Sequence, residues 1–182
     1  MAKPIIKEWY DITSPKYFGR KVIGQSLTTD PNRLLNRVIE VSLVELTGEA
    51  TKYYIKLYFK ADKIEGTKVS TVFFGHDTTR DFVARIVQLG TDRIDTNNIV
   101  QLKDGKMRIK SIIITNGNVK RGLERVIRKT AIDEIKIELE DMTIDDFLKN
   151  MVTGSLQKKL RKKLSKLHPL RQFEFNKSQI LI

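Results

Sequence analysis

The chain contains no cysteine, which excludes disulfides and every thiolate metal site. Histidine is nearly as scarce. His76 and His168 are the only two, and they do not stand at a metal-ligand spacing from each other. No apolar run exceeds three residues, Ile112-Ile113-Ile114 being one of them, whereas a membrane span needs about 20. Glycine-rich phosphate loops of either common type are missing too. Met1 to Glu8 has no apolar signal region, so the expectation is a cytoplasmic protein with no membrane partner. Proline is confined to Pro4, Pro15, Pro31 and Pro169, leaving the middle of the chain free for regular structure.

What the sequence has in excess is positive charge. Thirty-four Lys and Arg stand against 22 Asp and Glu, a net charge of +12 in 182 residues. Such a surplus says little about fold and much about partners, because it favours polyanions: nucleic acid, an anionic membrane surface or an acidic protein. With 40% hydrophobic residues the chain can also build a core.

Hydrophobic periodicity divides the chain into three expected regions. Residues 1–35, punctuated by proline and glycine, read as an irregular N-terminal arm packing on the core and on RNA, with Trp9 and Tyr10 as anchors. Residues 36–117 read as a β-rich core with one helix. Within it Ile39, Val41 and Leu43 alternate, as do Ile55, Leu57 and Phe59. A turn at Glu65-Gly66 and a type I′ turn at Asp104-Gly105 predict two hairpins. Between them Thr78-Thr79-Arg80-Asp81 reads as a helix start with a Thr cap and an early acid, and Gly90 stops that helix. Residues 118–182 read as a helical, basic region, with a core stripe of Val119, Leu123, Val126 and Ile127. A second helix starts at Thr143, and a third, capped by Ser155, carries Leu156, Leu160, Leu164 and Leu167. The alternation from Gln172 to Ile182 leaves room for a final strand. The fold class is α+β.

The cations are clustered. Thr153 to Arg171 carries Lys158, Lys159, Arg161, Lys162, Lys163, Lys166 and Arg171 and no acid, seven charges in 19 residues. A leucine stripe beneath such a surface describes a helix docked on its own core with phosphates outside. Solvated helices interleave both signs, and membrane-surface helices favour a broader aromatic face. A second cluster is Lys120, Arg121, Arg125, Arg128 and Lys129, opposed only by Glu124, with Arg121, Arg125 and Arg128 on one helical face. Between the clusters, Asp133 to Asp146 holds seven acids against Lys136. These acids either neutralise the basic helices or meet a basic protein. Tyr54 and Tyr58, interleaved with Lys56 and Lys60, allow base stacking but equally suit a half-exposed strand.

No catalytic constellation stands out, and the chain is read as a non-enzyme. A metal-dependent nuclease on Asp77, Asp81 and Asp92 stays open, as does a free-standing single-stranded RNA-binding module on the tyrosine face.

Several blocks, in order, resemble the archaeal and eukaryotic small-subunit ribosomal protein family S-three-A-e. They are Lys7-Glu8-Trp9-Tyr10-Asp11-Ile12 with Pro15, Gly24-Gln25-Ser26-Leu27-Thr28-Thr29, Leu34 to Leu46, Phe74 to Asp81, Arg128-Lys129-Thr130 and His168-Pro169-Leu170-Arg171. Asn36 stands where Gly or His is commoner, and Glu45 where Asp is usual. Without a long basic tail, the chain resembles archaeal members. The resemblance implies a structural constituent of the small ribosomal subunit on its platform, near the mRNA exit and the 3′ end of the rRNA. Small-subunit rRNA and neighbouring ribosomal proteins would be its partners, mRNA would lie nearby, and no cofactor is implied. It also implies a β-barrel-like core with packed helices, which agrees with the residue reading of a mostly antiparallel, β-rich core and a helical C-terminal third. Arg37, Arg80 and Arg128 lie in matched motifs and are nominated for RNA contact.

Overall fold

The computed structural model describes residues 7–181; Ile182 and residues 1–6 of the expected arm lie outside the described residues. The chain divides between Gly75 and His76 into two compact units.

In the first unit, β1 (Glu8–Thr13) and β2 (Val22–Thr28) pair antiparallel. Strand β3 (Val38–Ser42) pairs antiparallel with β4 (Ile55–Glu65), and β4 turns back into β5 (Lys68–Thr78). That turn needs Gly66, whose φ of +61° suits a residue without Cβ. Asp11–Thr13 runs parallel to Lys68–Ser70, a pairing fixed by two buried threonines. Thr13 Oγ1 donates to the Val69 carbonyl at 3.0 Å, and Thr71 Oγ1 to the Thr13 carbonyl at 2.7 Å. The order is therefore β3-β4-β5-β1-β2. Tyr10, Ile12, Leu34, Ala61 and Val69 form a core cluster there.

Three sequence readings need correction in this unit. The stretch read as irregular supplies two strands, because alternation in Trp9–Ile12 outweighs the flanking proline and glycine. Tyr10 is buried as an anchor should be, but Trp9 points the other way and is 59% exposed, as period two requires of its neighbour. Leu43 continues the β3 alternation yet opens helix α1 (Leu43–Thr47). Asn36 sits at φ +64°, a conformation that Asn and Gly tolerate, which accounts for its replacing the commoner residue.

In the second unit the end of β5 adjoins β8 (Leu170–Leu181), followed by β7 (Gly105–Thr115) and β6 (Arg93–Leu102). Helix α2 (Arg80–Ile86) packs Phe82, Val83, Ile86 and Val87 on Ile112 and Ile114. The opposite face is covered by helices. Phe147 of α4 (Ile144–Thr153) meets Phe175 edge-on at 5.7 Å, and α5 (Ser155–Leu164) buries Leu156, Leu160 and Leu164. Helix α3 (Arg121–Glu140) buries Ile127, Ala131, Ile135 and Leu139. Each fully buried Ile or Leu contributes about 2 kcal/mol relative to exposure.

Here too the structure moves several details. The α3 stripe runs in steps of four from Ile127, so Val126 is half exposed, and the helix continues through the acidic stretch. The β6–β7 hairpin pairs Leu102 with Gly105, so the loop is Lys103-Asp104, and no residue of it has positive φ. It is not type I′. The Lys103 N–H donates instead to the Met142 carbonyl at 3.2 Å, a tertiary bond that local turn chemistry does not foresee. Helix α2 ends at Ile86 rather than near Gly90, and Thr79 caps it in position but makes no side-chain capping bond. Thr143 does cap α4, accepting from the Asp146 N–H at 3.1 Å. Gly154, at φ +77°, ends α4 and begins α5, leaving Ser155 inside the helix and Leu167 beyond its end.

The eight strands form an open sheet, not the closed barrel that the resemblance implied. A barrel strand points alternate residues into the interior, and no residue of β2 is buried. At β6 the Asp95 carbonyl is taken by Arg128 Nε of α3 at 3.1 Å, so part of that strand is met by a helix instead of a ninth strand. The C-terminal third holds three helices but ends in β8, between β5 and β7.

His76 is enclosed in the second unit, its Nδ1 2.5 Å from Ser178 Oγ and Nε2 3.1 Å from the Phe175 carbonyl. Burial pushes the imidazole down from 6.5 to about 4. A depressed value means the unfolded chain takes up the proton first, so stability is complete above about pH 6.5 and lost as pH falls toward 4. Urea unfolding should lose up to about 1.4 kcal/mol per pH unit across this window. His76→Gln should remove that slope while lowering stability at pH 7; an unchanged slope would contradict the assignment.

Candidate nucleic-acid interface

Helix α5 separates its cations by direction. Its leucines take the core face, so the basic residues occupy the remaining arc. Lys159 and Lys163 reach α3. Lys159 Nζ lies 2.6 Å from Glu138, and Lys163 Nζ lies 2.6 Å from Glu134 and 2.7 Å from Glu138. Burial alone would raise the Glu138 carboxyl, but hydrogen bonds from the two lysines outweigh it and hold it below its ordinary value. Lys158, Arg161, Lys162 and Lys166 point outward and have no carboxylate partner among the described residues. Lys158, Arg161, Lys162 and Ser165 line a groove of about 370 Å³, and Arg161 Nε is steadied on the Leu170 carbonyl at 3.2 Å.

The second cluster divides in the same way. Lys120, Arg121, Arg125 and Lys129 are exposed at the start of α3 and carry no ion pair among the described residues. Arg128 instead pairs with Glu124 at 2.5 Å while donating to Asp95. Its geometry serves the α3–β6 junction.

The other nominated residues are dispersed. Arg37 is exposed before β3, and Arg80 opens α2. Arg171, at the start of β8, donates to Gln88 Oε1. Tyr54 lies in the turn before β4, edge-on to Tyr53 at 6.0 Å, and is not on the strand with Tyr58. Tyr58 hydrogen-bonds Glu40 on β3, and Lys56 reaches the same carboxylate at 2.6 Å. These tyrosines do not present two parallel faces from one strand.

One set of cations escaped the sequence reading. Lys106, Arg108 and Lys110 leave the same face of β7, alternating with buried Met107, Ile109 and Ser111. The signal was a period-two run of cations; a search for helical clusters passes over it.

Two of the three acids proposed for a nuclease, Asp77 and Asp92, have structural partners. Asp77 accepts from the Thr78 N–H at 2.9 Å and pairs with Lys177 at 3.2 Å, and Asp92 Oδ2 accepts from the Val119 N–H at 2.5 Å. Among the described residues no three His, Asp or Glu come together to hold a metal ion. No helix among them is long and apolar enough to cross a membrane.

The Ribosomal S3Ae family model matches residues 3–182. The chain belongs to this family. Relatives of this S3Ae chain include the small ribosomal subunit protein eS1 of Methanothermobacter thermautotrophicus, 34% identical over 176 residues that span 96% of this chain and 90% of the relative. The protein of the same description from Sulfolobus acidocaldarius is 35% identical over 97% of this chain and 90% of its own length. That from Methanococcus maripaludis is 35% identical, with 96% and 79% covered. The S3Ae chain is thus a structural, non-enzymatic component of the small ribosomal subunit, within the translation machinery, and its relatives here are archaeal.

Because Glu138 titrates below its ordinary value in the folded protein, its stabilisation is present above that value and lost as pH falls through the lowered one. Glu138→Gln should lower the melting temperature by about 3 °C at pH 7 and low salt. The difference should shrink in about 1 M salt, where the screening length is about 3 Å. A salt-independent loss would mean that packing, not charge, is what Glu138 contributes.

Proposed function

We propose that this chain binds small-subunit rRNA on the platform, near the mRNA exit and the rRNA 3′ end. The outward cations of α5 and the first turns of α3 lie on phosphates, and neighbouring ribosomal proteins and mRNA are close by. The observation that carries the reading is the sorting on α5. Lys159 and Lys163 are neutralised by Glu134 and Glu138, whereas Lys158, Arg161, Lys162 and Lys166 are left facing outward around a groove. Family membership supplies the subunit, and the unpaired cations supply the means of holding a backbone. The exposed residues Arg37 and Arg80 supply further RNA contacts, and the N-terminal segment also packs on RNA.

Affinity for a small-subunit rRNA transcript should fall steeply between about 50 and 200 mM salt as displaced counterions compete. K158E/R161E/K162E should weaken binding at least about 30-fold and flatten the salt dependence by about two to three in log–log slope. Tyr54→Ala with Tyr58→Ala should stay within about threefold of the parent protein. A flat salt profile, or a severe loss on removing the tyrosines, would replace the phosphate clamp with a stacking module.

A further inference from the structure

Over Lys106–Lys110, strand β7 has helices on one face only, and the other face is open. Lys106, Arg108 and Lys110 stand on it, exposed and without an ion-pair partner among the described residues. Their cross-strand neighbours are Gln101, Ile99 and Asn97 on β6 and Leu181, Gln179 and Lys177 on β8. These three rows contain no carboxylate. The acids of this face lie farther along, and each has a partner. Asp95 is bound by Arg93 at 3.0 Å, Asp77 by Lys177 at 3.2 Å and Glu174 by Gln172 at 3.3 Å.

At Lys110 the row enters a cavity of about 620 Å³ between α2 and the sheet. Arg80, Arg93, Lys110 and Lys177 supply its positive charge, Asp77 a carboxylate paired with Lys177, and Val83 and Val87 an apolar wall. That volume suits one small ligand. Successive cations on the strand are about 7 Å apart, comparable with neighbouring phosphates on an extended single strand. Ile99, 52% exposed between them, offers an apolar contact for a base. An acidic peptide would satisfy the charge but would leave the cavity and Ile99 unexplained.

We propose that this face binds an extended single strand of RNA, with phosphates along Lys106, Arg108 and Lys110 and one nucleotide entering the cavity beneath α2. The inference rests on the RNA-binding reading above and adds a surface separate from α5. Full-length protein would be titrated with fluorescein-labelled decauridylate and, in parallel, with a folded small-subunit rRNA transcript. K106E/R108E/K110E should lose at least about 30-fold in decauridylate affinity and about two units of log–log salt slope, with an unchanged melting temperature. The neutral set K106Q/R108Q/K110Q, which guards against a folding defect, should lose about tenfold.

Parent protein that does not bind decauridylate would overturn the inference. So would a β7 variant that binds it normally, or displacement by poly-glutamate as effective as by unlabelled oligonucleotide. Loss or retention of transcript binding in the α5 variant bears only on the earlier reading, so the two fail separately.

Discussion

Ile112, Ile113 and Ile114 are consecutive on β7, and none is more than 1% exposed. Successive side chains of a strand point to opposite faces, so three in a row can be buried only where both faces are covered. Helix α2 covers Ile112 and Ile114, while α3 to α5 accompany the face of Met107, Ile109 and Ile113. Four residues earlier the demand is halved. From Lys106 to Lys110 alternate residues are charged, and only one side is covered. The change from double to single cover along one strand sets where α2 must stop and where a charged face begins.

The same economy governs the basic helices. A chain of net charge +12 repels itself, and that repulsion opposes compaction. Pairing every cation would remove the repulsion and the polyanion site together. The acids of α3 are placed where α5 packs, so Glu134 and Glu138 cancel the two lysines of α5 that reach α3. Cations on the outer arc keep their charge because water there screens it. Two of the segment's seven acids thus act within the fold, as one of the two readings of its composition expects of them.

How much was legible in the sequence followed from the range of the forces involved. Period-two runs located β3, β4 and β8, and the Thr143 cap located α4, because alternation and capping are decided within a few residues. The Asp104-Gly105 signal found the right hairpin and missed its register by one residue, since Lys103 is held by Met142 from another element. Closure of the sheet was misjudged because it depends on what each edge meets, Arg128 at β6 for example. At the candidate site, composition located the cations and could not say which were spoken for. Arg128 and Lys163 look in sequence just like Arg125 and Lys162, and only packing separates them.

Helix α3 has a charge distribution that runs against its own dipole. The N-terminus of a helix is the positive end of its dipole and favours acids, and the C-terminus favours bases. Here Lys120, Arg121 and Arg125 crowd the start, while Glu138, Glu140 and Asp141 crowd the end, with no base in the last turn. Each misplaced charge costs about 0.3–1 kcal/mol at low ionic strength. Glu138 is compensated by α5, which gives the acidic end an internal reason. Nothing among the described residues compensates Lys120, Arg121 or Arg125. A helix arranged for its own stability would reverse those residues. One arranged for a phosphate backbone would keep them, because the anion that binds there relieves the repulsion and the unfavourable dipole together.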